Sequence, residues 1–383
     1  MTRVERELPT DEARDLLDLV RQLGSDLLAP AVGDAEEKGT FPREVFRTLG
    51  RSGLLSLPYP AELGGGDQPY VVYLQVLEEL AAAWSAVALG VSVHTLACYP
   101  LAEFGSAEQQ QRWLPDMLGG EQLGAYCLSE TTSGSDAAAL RTRAVRDADG
   151  YTVNGTKAWI THGGVADFYS LMARTGEDGP RGISCLLVDA TTSGVTGAPA
   201  EHKMGFASSR TSQVLFEDAR VEPDRLIGEE GQGFRIALSA LDSGRLGIAA
   251  CAVGIAQAAL ECATDYAKDR QQFGRAIIDF QGLSFLLADM ATQVAAAREL
   301  YLAAARRRDA GQAFSVQAAM AKLFATDTCM RVTTDAVQVL GGAGYVRDFP
   351  VERWFREAKV LQIVEGTNQV QRMVIGRHLQ RHG

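Results

Sequence analysis

The chain has 383 residues, which is longer than a single hydrophobic core usually grows, and this length predicts two or three domains that pack together. Hydrophobic residues make up 46% of the chain and charged residues 22%, a composition that argues against a disordered protein. The net charge of −11 argues against nucleic acid as the main partner. An acidic total is still compatible with a local basic pocket for a small polyanionic ligand.

The cysteines and the apolar segments indicate the cellular compartment in which the protein is expected. The six cysteines are scattered and form no CxxC pair, so they predict buried thiols in a reducing compartment. The N-terminus mixes charges early and predicts no signal or transit peptide. The most apolar stretch, Leu246–Leu260, is too short to span a membrane, and its Ala and Gly residues predict a helix packed closely inside the protein. We therefore expect a cytoplasmic protein without a membrane partner.

The first third of the chain has a helical pattern. Residues 11–28 repeat leucine and valine at three- and four-residue steps, and residues 42–53 and 70–88 continue this pattern. Ser106 is placed to cap a further helix. These features predict an N-terminal helical domain over residues 1–121.

From residue 122 the pattern changes to short strands. Asp149 and Gly150 lie between two strand-like segments and predict a β-hairpin. The predicted strands are 124–129, 141–145, 151–153, 169–173, 183–188 and 212–216. We expect a middle β-domain over residues 122–230 with mostly antiparallel strands.

Near Gly231 the helical period returns and continues to the end of the chain. The predicted helices are 232–268, 280–309, 313–340 and 366–380. They predict a C-terminal four-helix bundle over residues 231–383. The whole chain is then an α+β fold of three parts in the order helical, β and helical, packed as one body.

The segment around Glu365 is the most informative candidate for chemistry. A carboxylate follows two apolar residues and precedes Gly366, where a helix is predicted to begin. In a closed pocket, desolvation would raise the pKa of this carboxyl and make it a better base, and Gly366 would let a ligand approach the backbone. Backbone N–H groups at a helix start would stabilise an oxyanion. The alternative is an ordinary helix N-terminal glutamate favoured by the helix dipole, which is the more common case for these residues taken alone.

Three further motifs admit two interpretations each. The hydroxyl-rich segment 129–136 could present donors to a phosphate or a cofactor edge, or could be a polar turn. Trp159 could cover a planar cofactor, although a single aromatic residue on a strand is more often core. Arg270 could bind a pyrophosphate, or could simply mark a helix end before Gly274. The glycines from Gly341 follow a helical pattern, so they are not a Rossmann fingerprint.

The order of these motifs resembles the acyl-CoA dehydrogenase family over essentially the full chain. The stretches that carry the resemblance are 125–130 with 134–136, Asn154 to Thr161, Leu241 to Arg245, Asp269 to Gly274, Gln338 to Gly342 and Val364 to Thr367.

The resemblance implies a homotetramer, built as a dimer of dimers, with one FAD per subunit. It implies that the flavin is contacted by Tyr126, Leu128, Ser129, Trp159, Thr161, Thr367 and Gln369. It implies that the adenosine diphosphate half of a neighbouring subunit's FAD is held by Arg270, Gln272, Phe273, Phe280, Gln281, Gln338, Val339, Leu340, Gly341 and Gly342. The positions that match acyl-CoA contacts are Ser135, Asp242, Arg245 and Gly366.

The resemblance also implies a reaction. Glu365 aligns with the catalytic base of the short- and medium-chain members, which takes the α-proton while the β-hydride goes to flavin N5. The thioester carbonyl would be polarised by the Glu365 backbone N–H and by a flavin ribityl hydroxyl. In isovaleryl-type relatives the base lies one residue before the arginine that matches Arg245; here that residue is Gly244, which cannot act as a base. Electron-transferring flavoprotein would reoxidise the reduced FAD.

Departures from the family pattern bear on the substrate. Thr131 and Thr132 replace the usual proline and glycine, a change that bears on the loop over the active site or on the phosphopantetheine contact. Val364 replaces a tyrosine often found before the base, which would either leave room for a bulkier or branched acyl group or be a silent packing change. Ala88 stands where glutaryl-type members have an arginine for a terminal carboxylate, so we expect a neutral acyl chain. The similarity is greatest to the short-chain branch.

Other functions stay open at the level of sequence. The same fold could act on a thioester of acyl carrier protein or as an enoyl reductase in a specialised biosynthetic route. It could also be a flavin-dependent oxidase or monooxygenase, or a non-catalytic helical interaction protein.

Overall fold

The computed structural model describes residues 4–382, without the side chain of His382; residues 1–3 and 383, the ends of the predicted first and last domains, lie outside the described part. The N-terminal part is helical, as predicted. Its helices are α1 (Asp11–Leu23), α2 (Ala29–Lys38), α3 (Arg43–Arg51), α4 (Tyr70–Phe104) and α5 (Ala107–Leu118). A π-helical turn, Gly24–Leu28, joins α1 to α2. The predicted cap is confirmed, because the Ser106 hydroxyl accepts a hydrogen bond from the Gln109 N–H.

Helix α4 is longer than the predicted segment 70–88, and it is two helices joined at a break. Trp84 has the non-helical angles φ −154° and ψ 97° inside it. The Trp84 indole N–H donates to the Ser208 hydroxyl at 3.2 Å, which ties the break to the β-domain. Beyond Trp84 nearly every side chain is buried, so this half has no polar face, and a helical period could not be followed there.

The middle part is one twisted sheet. Its strands are β1 (Gly124–Cys127), β2 (Arg143–Asp147), β3 (Gly150–Thr161), β4 (Phe168–Arg174), β5 (Ile183–Asp189), β6 (Val195–Gly197), β7 (Thr211–Val221) and β8 (Leu226–Ile227). The order is β6-β7-β3-β2-β4-β5-β8, with β1 beside β4. The predicted hairpin joins β2 to β3, although its turn is Ala148 and Asp149 because Gly150 already pairs with Asp147. Most strand pairs are antiparallel, whereas β1 runs parallel to β4 and a single pair joins β2 and β4 in parallel.

The C-terminal part is a helical bundle with one more long helix than predicted. Its helices are α6 (Gly233–Asp269), α7 (Gln281–Asp309), α8 (Ser315–Leu340), α9 (Gly342–Tyr345), α10 (Val351–Leu361) and α11 (Asn368–His382). A short hairpin, β9 (Gln271–Gln272) and β10 (Arg275–Ala276), joins α6 to α7. Helices α6, α7 and α8 confirm the predicted segments within a few residues. The prediction missed α10, and it started the last helix two residues too early.

Helices α4 and α6 lie against each other at the centre of the molecule. Both are long and apolar enough to cross a membrane, but their apolar windows are 89% and 72% buried inside the protein. Glycines allow the close approach: a Cβ on Gly254 would lie 2.3 Å from the Glu78 carbonyl oxygen, and one on Gly247 would lie 2.2 Å from the Ser92 hydroxyl. The predicted tight packing of residues 246–260 is therefore confirmed.

Candidate active site

Glu365 lies in a strained turn between α10 and α11. Its φ is +52°, and that of Gly366 is +89°. A left-handed conformation costs a residue other than glycine roughly 1–2 kcal/mol, so the surrounding structure must hold it. The Thr367 hydroxyl accepts a hydrogen bond from the Val370 N–H at 3.3 Å and caps α11. The prediction that a helix begins at Gly366 is therefore wrong by two residues, because the positive φ angles of Glu365 and Gly366 delay its start to Asn368.

A buried lysine on α8 holds this turn in place. Lys322 Nζ donates to the Gly366 carbonyl oxygen at 2.9 Å and to Asn368 Oδ1 at 3.0 Å. Gln371 Nε2 donates to the same Gly366 carbonyl at 2.8 Å. Sequence reasoning missed Lys322. The sequence feature that could have identified it is a single lysine on a helix face that otherwise consists of alanine, because Ala318, Ala321 and Ala325 are buried around it.

The turn aims the Glu365 carboxylate inward against α6. Both of its oxygens are buried, and neither has a hydrogen-bond partner among the described residues. A Cβ on Gly244 would lie only 2.0 Å from Glu365 Oε2. Because Gly244 has no side chain, it leaves the space that the Glu365 carboxylate occupies.

Burial sets the protonation of this carboxylate. Desolvation raises the pKa of Glu365 to about 7, against the opposing charges of Lys322 and Arg245. Desolvation also lowers the pKa of Lys322 to about 7, against the opposing charge of Glu365. A buried carboxyl that titrates near neutrality and has a free lone pair has the properties of a general base.

The β-domain residues predicted to contact a flavin lie together on neighbouring strands. The Ala158 N–H donates to the Ser129 carbonyl at 2.9 Å, which places Ser129 beside Trp159. Trp159 has a φ of +57° at an irregularity of β3, and its side chain is 56% exposed. Thr161 ends the same strand. These residues therefore present an exposed indole near the end of β3, whereas the indole of a core tryptophan would be buried.

Tyr126 connects this set to α6, and Leu128 connects it to β3. The Tyr126 hydroxyl donates to the Ala237 carbonyl at 3.4 Å. Burial raises the pKa of Tyr126, and the charge of Glu365 contributes to the increase, so the phenol lies within electrostatic range of the carboxylate. The Leu128 carbonyl accepts a hydrogen bond from the buried Lys157.

Three of the four residues predicted to bind substrate surround the base. Arg245 is buried, forms an ion pair with Asp242, and leaves Nε without a partner among the described residues. Gly366 forms the turn itself. Ser135 instead lies in an exposed loop beyond β1, together with Thr131 and Thr132. Ala88 is fully buried in the core.

The remaining predicted cofactor residues are not gathered around the base. Arg270, Gln272, Gln281, Gln338, Gly341 and Gly342 are exposed, as is Gln369 on the first turn of α11. Phe273 is 95% exposed and contacts the half-buried Phe280, with 6.0 Å between ring centroids. The side chains of Val339 and Leu340 are buried in the core, which leaves only their backbone to contact a ligand.

A narrow cavity of about 10 Å³ lies beside the base. Gly244 forms part of its wall, so it borders the position of the Glu365 carboxylate. The lining residues are Pro58, Tyr59, Tyr70, Ser92, Thr95, Leu96, Tyr99, Ser243, Gly244 and Arg308.

Comparisons with known proteins agree with the three-part fold. Three family models match consecutive parts of the chain: Acyl-CoA dehydrogenase, N-terminal domain, over residues 10–121, middle domain over 125–219, and C-terminal domain over 231–380. An acyl-CoA dehydrogenase of Bacillus subtilis (strain 168) is 44% identical over 97% of this chain and 98% of its own length.

Two solved structures are similar along their whole length. Butyryl-CoA dehydrogenase from Megasphaera elsdenii has a TM-score of 0.96 and 42% identity, and the match covers 99% of this chain and 100% of that one. A chain in the structure of the electron transferring flavoprotein of Acidaminococcus fermentans has a TM-score of 0.96 and 40% identity, with the same coverage.

The fold and the buried carboxylate thus define an FAD-dependent oxidoreductase. The chain belongs to the acyl-CoA dehydrogenase family.

The residues present fit FAD. Trp159 offers an exposed indole where a planar ring needs a face, and the Glu365 carboxylate lacks a partner among the described residues. Gly341 has a φ of +60°, and a Cβ there would meet nothing within 4 Å, so its backbone is open to a ligand.

Proposed function

We propose that this protein catalyses the α,β-dehydrogenation of a short- or medium-chain, neutral acyl-CoA thioester, with Glu365 as the base. The observation that carries the proposal is the buried, unpartnered Glu365 carboxylate packed against Gly244. Burial without a hydrogen-bond partner makes the ionised carboxylate less favourable, so it gains stability when it accepts a proton. The name of the Megasphaera elsdenii relative, butyryl-CoA dehydrogenase, supports the short-chain end of the range.

The protein's part in the reaction is to hold the base and tune it. Lys322 and Gln371 fix the Gly366 carbonyl, so the turn keeps the Glu365 carboxylate in one place. Because burial raises the pKa of Glu365 to about 7, the carboxylate is ionised above neutrality and is basic enough to accept the α-proton. Bound FAD would supply the acceptor for the β-hydride. Tyr126, Leu128, Ser129, Trp159, Thr161, Thr367 and Gln369 would hold its flavin.

The proposal includes the assembly and the partners. The exposed hairpin with Arg270 and Phe273, and the end of α8, would hold the adenosine diphosphate half of a second subunit's FAD in a homotetramer. Similarity to the Acidaminococcus fermentans chain supports electron-transferring flavoprotein as the electron acceptor. Cytoplasmic location is part of the same proposal. It rests on the scattered cysteines, which form no CxxC pair.

A substrate panel tests the proposal. The purified holoenzyme is mixed with straight and branched acyl-CoA thioesters of increasing length and with matching acyl carrier protein thioesters, and flavin bleaching is followed without oxygen. We expect bleaching by CoA thioesters of short or medium chains. Bleaching only by carrier-protein thioesters, or fast reoxidation of the reduced flavin in air, would instead favour the biosynthetic or the oxidase alternative.

A further inference from the structure

A buried ion pair lies under the loop that joins β1 to β2, the β1–β2 loop (residues 128–142). Lys157 of β3 is completely buried, and its Nζ donates to Glu130 Oε1 at 2.9 Å. The Glu130 side chain is only 6% exposed. Burying two charges has a desolvation cost, and two apolar residues would often stabilise a fold more. Stability alone therefore explains this pair poorly.

The Glu130 carboxylate holds the far end of the loop. Its Oε2 accepts a hydrogen bond from the Arg141 N–H at 2.7 Å, and its Oε1 accepts one from the Thr142 N–H at 2.9 Å. Although burial opposes ionisation, the charge of Lys157 lowers the pKa of Glu130 below its ordinary value, so the carboxylate is charged at neutral pH. A residue near the start of the loop thus binds the two residues that end it.

The near end of the loop is held by β3. Lys157 Nζ also donates to the Leu128 carbonyl at 3.0 Å, and the Ala158 N–H donates to the Ser129 carbonyl at 2.9 Å. One buried lysine therefore fixes the start of the loop directly, and it fixes the end of the loop through Glu130.

Further contacts secure the body of the loop and leave its tip free. Arg174 of β4 is 5% exposed, and its Nη2 donates to the Ala138 carbonyl at 2.8 Å. The backbone groups of Glu130 and Ser133 exchange two hydrogen bonds, at 2.9 and 3.1 Å. Residues 134–136, between these anchored segments, are exposed.

An exposed tip on a fixed base is suited to binding a ligand. A mobile loop would lose conformational entropy when a ligand ordered it, and that loss would weaken binding. A loop that is already fixed avoids much of this loss. Ser135, which the family resemblance predicts to contact acyl-CoA, lies on this exposed tip.

We infer that Lys157 and Glu130 are positioning residues, which hold the β1–β2 loop so that Ser135 meets the CoA part of the thioester. This inference rests on the proposed dehydrogenation and adds the residues that fix its substrate loop. Because the pair acts through Ser135 and not on the reacting carbons, its loss should weaken binding of the CoA part and leave proton abstraction intact.

The test uses the Glu130→Gln holoenzyme with two thioesters, butanoyl-CoA and S-butanoyl-N-acetylcysteamine, which has the same reacting carbons but lacks most of CoA. The amide nitrogen of glutamine cannot accept from the Arg141 N–H, whereas Lys157 can keep its bond to the Leu128 carbonyl. We expect KM for butanoyl-CoA to rise about tenfold with kcat kept, and kcat/KM for the short thioester to be unchanged.

A double-mutant cycle tests whether the pair acts through Ser135. Ser135→Ala should also lower kcat/KM for butanoyl-CoA relative to the short thioester. Combining it with Glu130→Gln should lower this ratio no further than the larger single effect, because both changes remove one contact. If Glu130→Gln does not fold, the double variant Lys157→Met and Glu130→Gln removes both charges and should lower the same ratio.

Lys203→Met is the matched control. It removes a half-buried lysine of the same domain, whose Nζ donates to the Ser209 carbonyl at 2.8 Å between β6 and β7, and it should leave the ratio unchanged.

Equal losses for both thioesters in Glu130→Gln would show a general structural role and overturn the inference, as would an unchanged KM for butanoyl-CoA. Fully additive effects of Glu130→Gln and Ser135→Ala would also overturn it. In each of these cases the proposed dehydrogenation stands. Failure of the wild-type flavin to bleach with any acyl-CoA would overturn both.

Discussion

The turn that carries Glu365 and the hairpin that carries Arg270 and Phe273 are built in opposite ways. The turn is fixed from within, by Lys322 and Gln371 on its Gly366 carbonyl, and its carboxylate is buried. The hairpin faces solvent, and its Phe273 is 95% exposed. A single chain therefore holds the base in place by its own contacts. The same chain leaves the aromatic ring of Phe273 exposed to solvent, where the surface of a second chain would cover it.

The difference separates two requirements of the proposed enzyme. Proton abstraction needs one atom held in one place, and buried contacts inside a single chain can supply that. Binding the remote half of a large cofactor needs area, which the exposed hairpin and the exposed end of α8 would supply to a second chain. Changes at the turn should therefore affect catalysis, and changes at the hairpin should affect cofactor retention.

Among changes to the residues that surround Glu365, the largest effect should come from Gly244→Ala. The new Cβ would meet Glu365 Oε2, at 2.0 Å in the present geometry, and would displace a flexible side chain rather than backbone. We expect kcat to fall by about a hundredfold with little change in thermal stability, because a base moved by about 1 Å loses its alignment.

Gly33→Ala is the control for that change. A Cβ there meets nothing within 4 Å on α2, so activity should be unchanged. A Gly244→Ala enzyme with normal kcat would show that the carboxylate does not need this space.

Lys322→Met should have the next largest effect. The turn would lose two hydrogen bonds, and Glu365 would lose a nearby positive charge that lowers its pKa. We expect kcat to fall about tenfold and the acidic limb of its pH profile to move to higher pH. The exposed Lys268→Met is the matched control. A lower kcat with an unshifted pH profile would mean that Lys322 acts on the fold and not on the base.

Phe273→Ala and Arg270→Gln should have a smaller effect of a different kind. We expect FAD to be lost severalfold more readily on dilution or gel filtration, while the rate per bound flavin is kept. Flavin absorbance per protein, together with light scattering, measures this. Full FAD retention in the double variant would contradict a role for the hairpin in holding the cofactor.

The smallest effect should be on stability. The pKa of Glu365 is raised to about 7 in the folded state from 4.5, so the unfolded chain releases this proton at lower pH and the free energy of unfolding falls as pH rises between these values. Glu365→Gln removes the ionisable group and therefore this pH-dependent decrease in the free energy of unfolding. In the FAD-free protein, the variant should be more stable than wild type at pH 8 by roughly 1–3 kcal/mol, and the difference should be smaller near pH 5. Denaturant unfolding at both pH values would show it; equal differences would argue against burial as the cause.

The sequence predicts the broad fold well because α7 and α8 are long and their buried residues recur at helical spacing. It misses α10, although Val351, Trp354, Ala358 and Leu361 are buried at helical spacing, because the glycines from Gly341 predict a loop there. The domain boundaries after residues 121 and 230 stay predictions.

The site is harder to predict than the fold. Glu365 emerges from the family resemblance, but its left-handed φ has no signal beyond Gly366, since glutamate rarely adopts that conformation. Lys322 holds a carbonyl 44 residues further along the chain, and no local pattern reports such a contact. The roles assigned to the exposed hairpin need a second chain and stay predictions.

The most direct test of the central claim is the rate of flavin reduction in the Glu365→Gln holoenzyme, measured by stopped flow with butanoyl-CoA across pH 6 to 9. We expect FAD content and thioester binding to be kept, and the rate to fall by about three orders of magnitude or more. The wild-type rate should rise with pH through about 7, the pKa of Glu365, and the variant should lose that dependence. A variant that reduces its flavin at the wild-type rate would show that another group takes the proton.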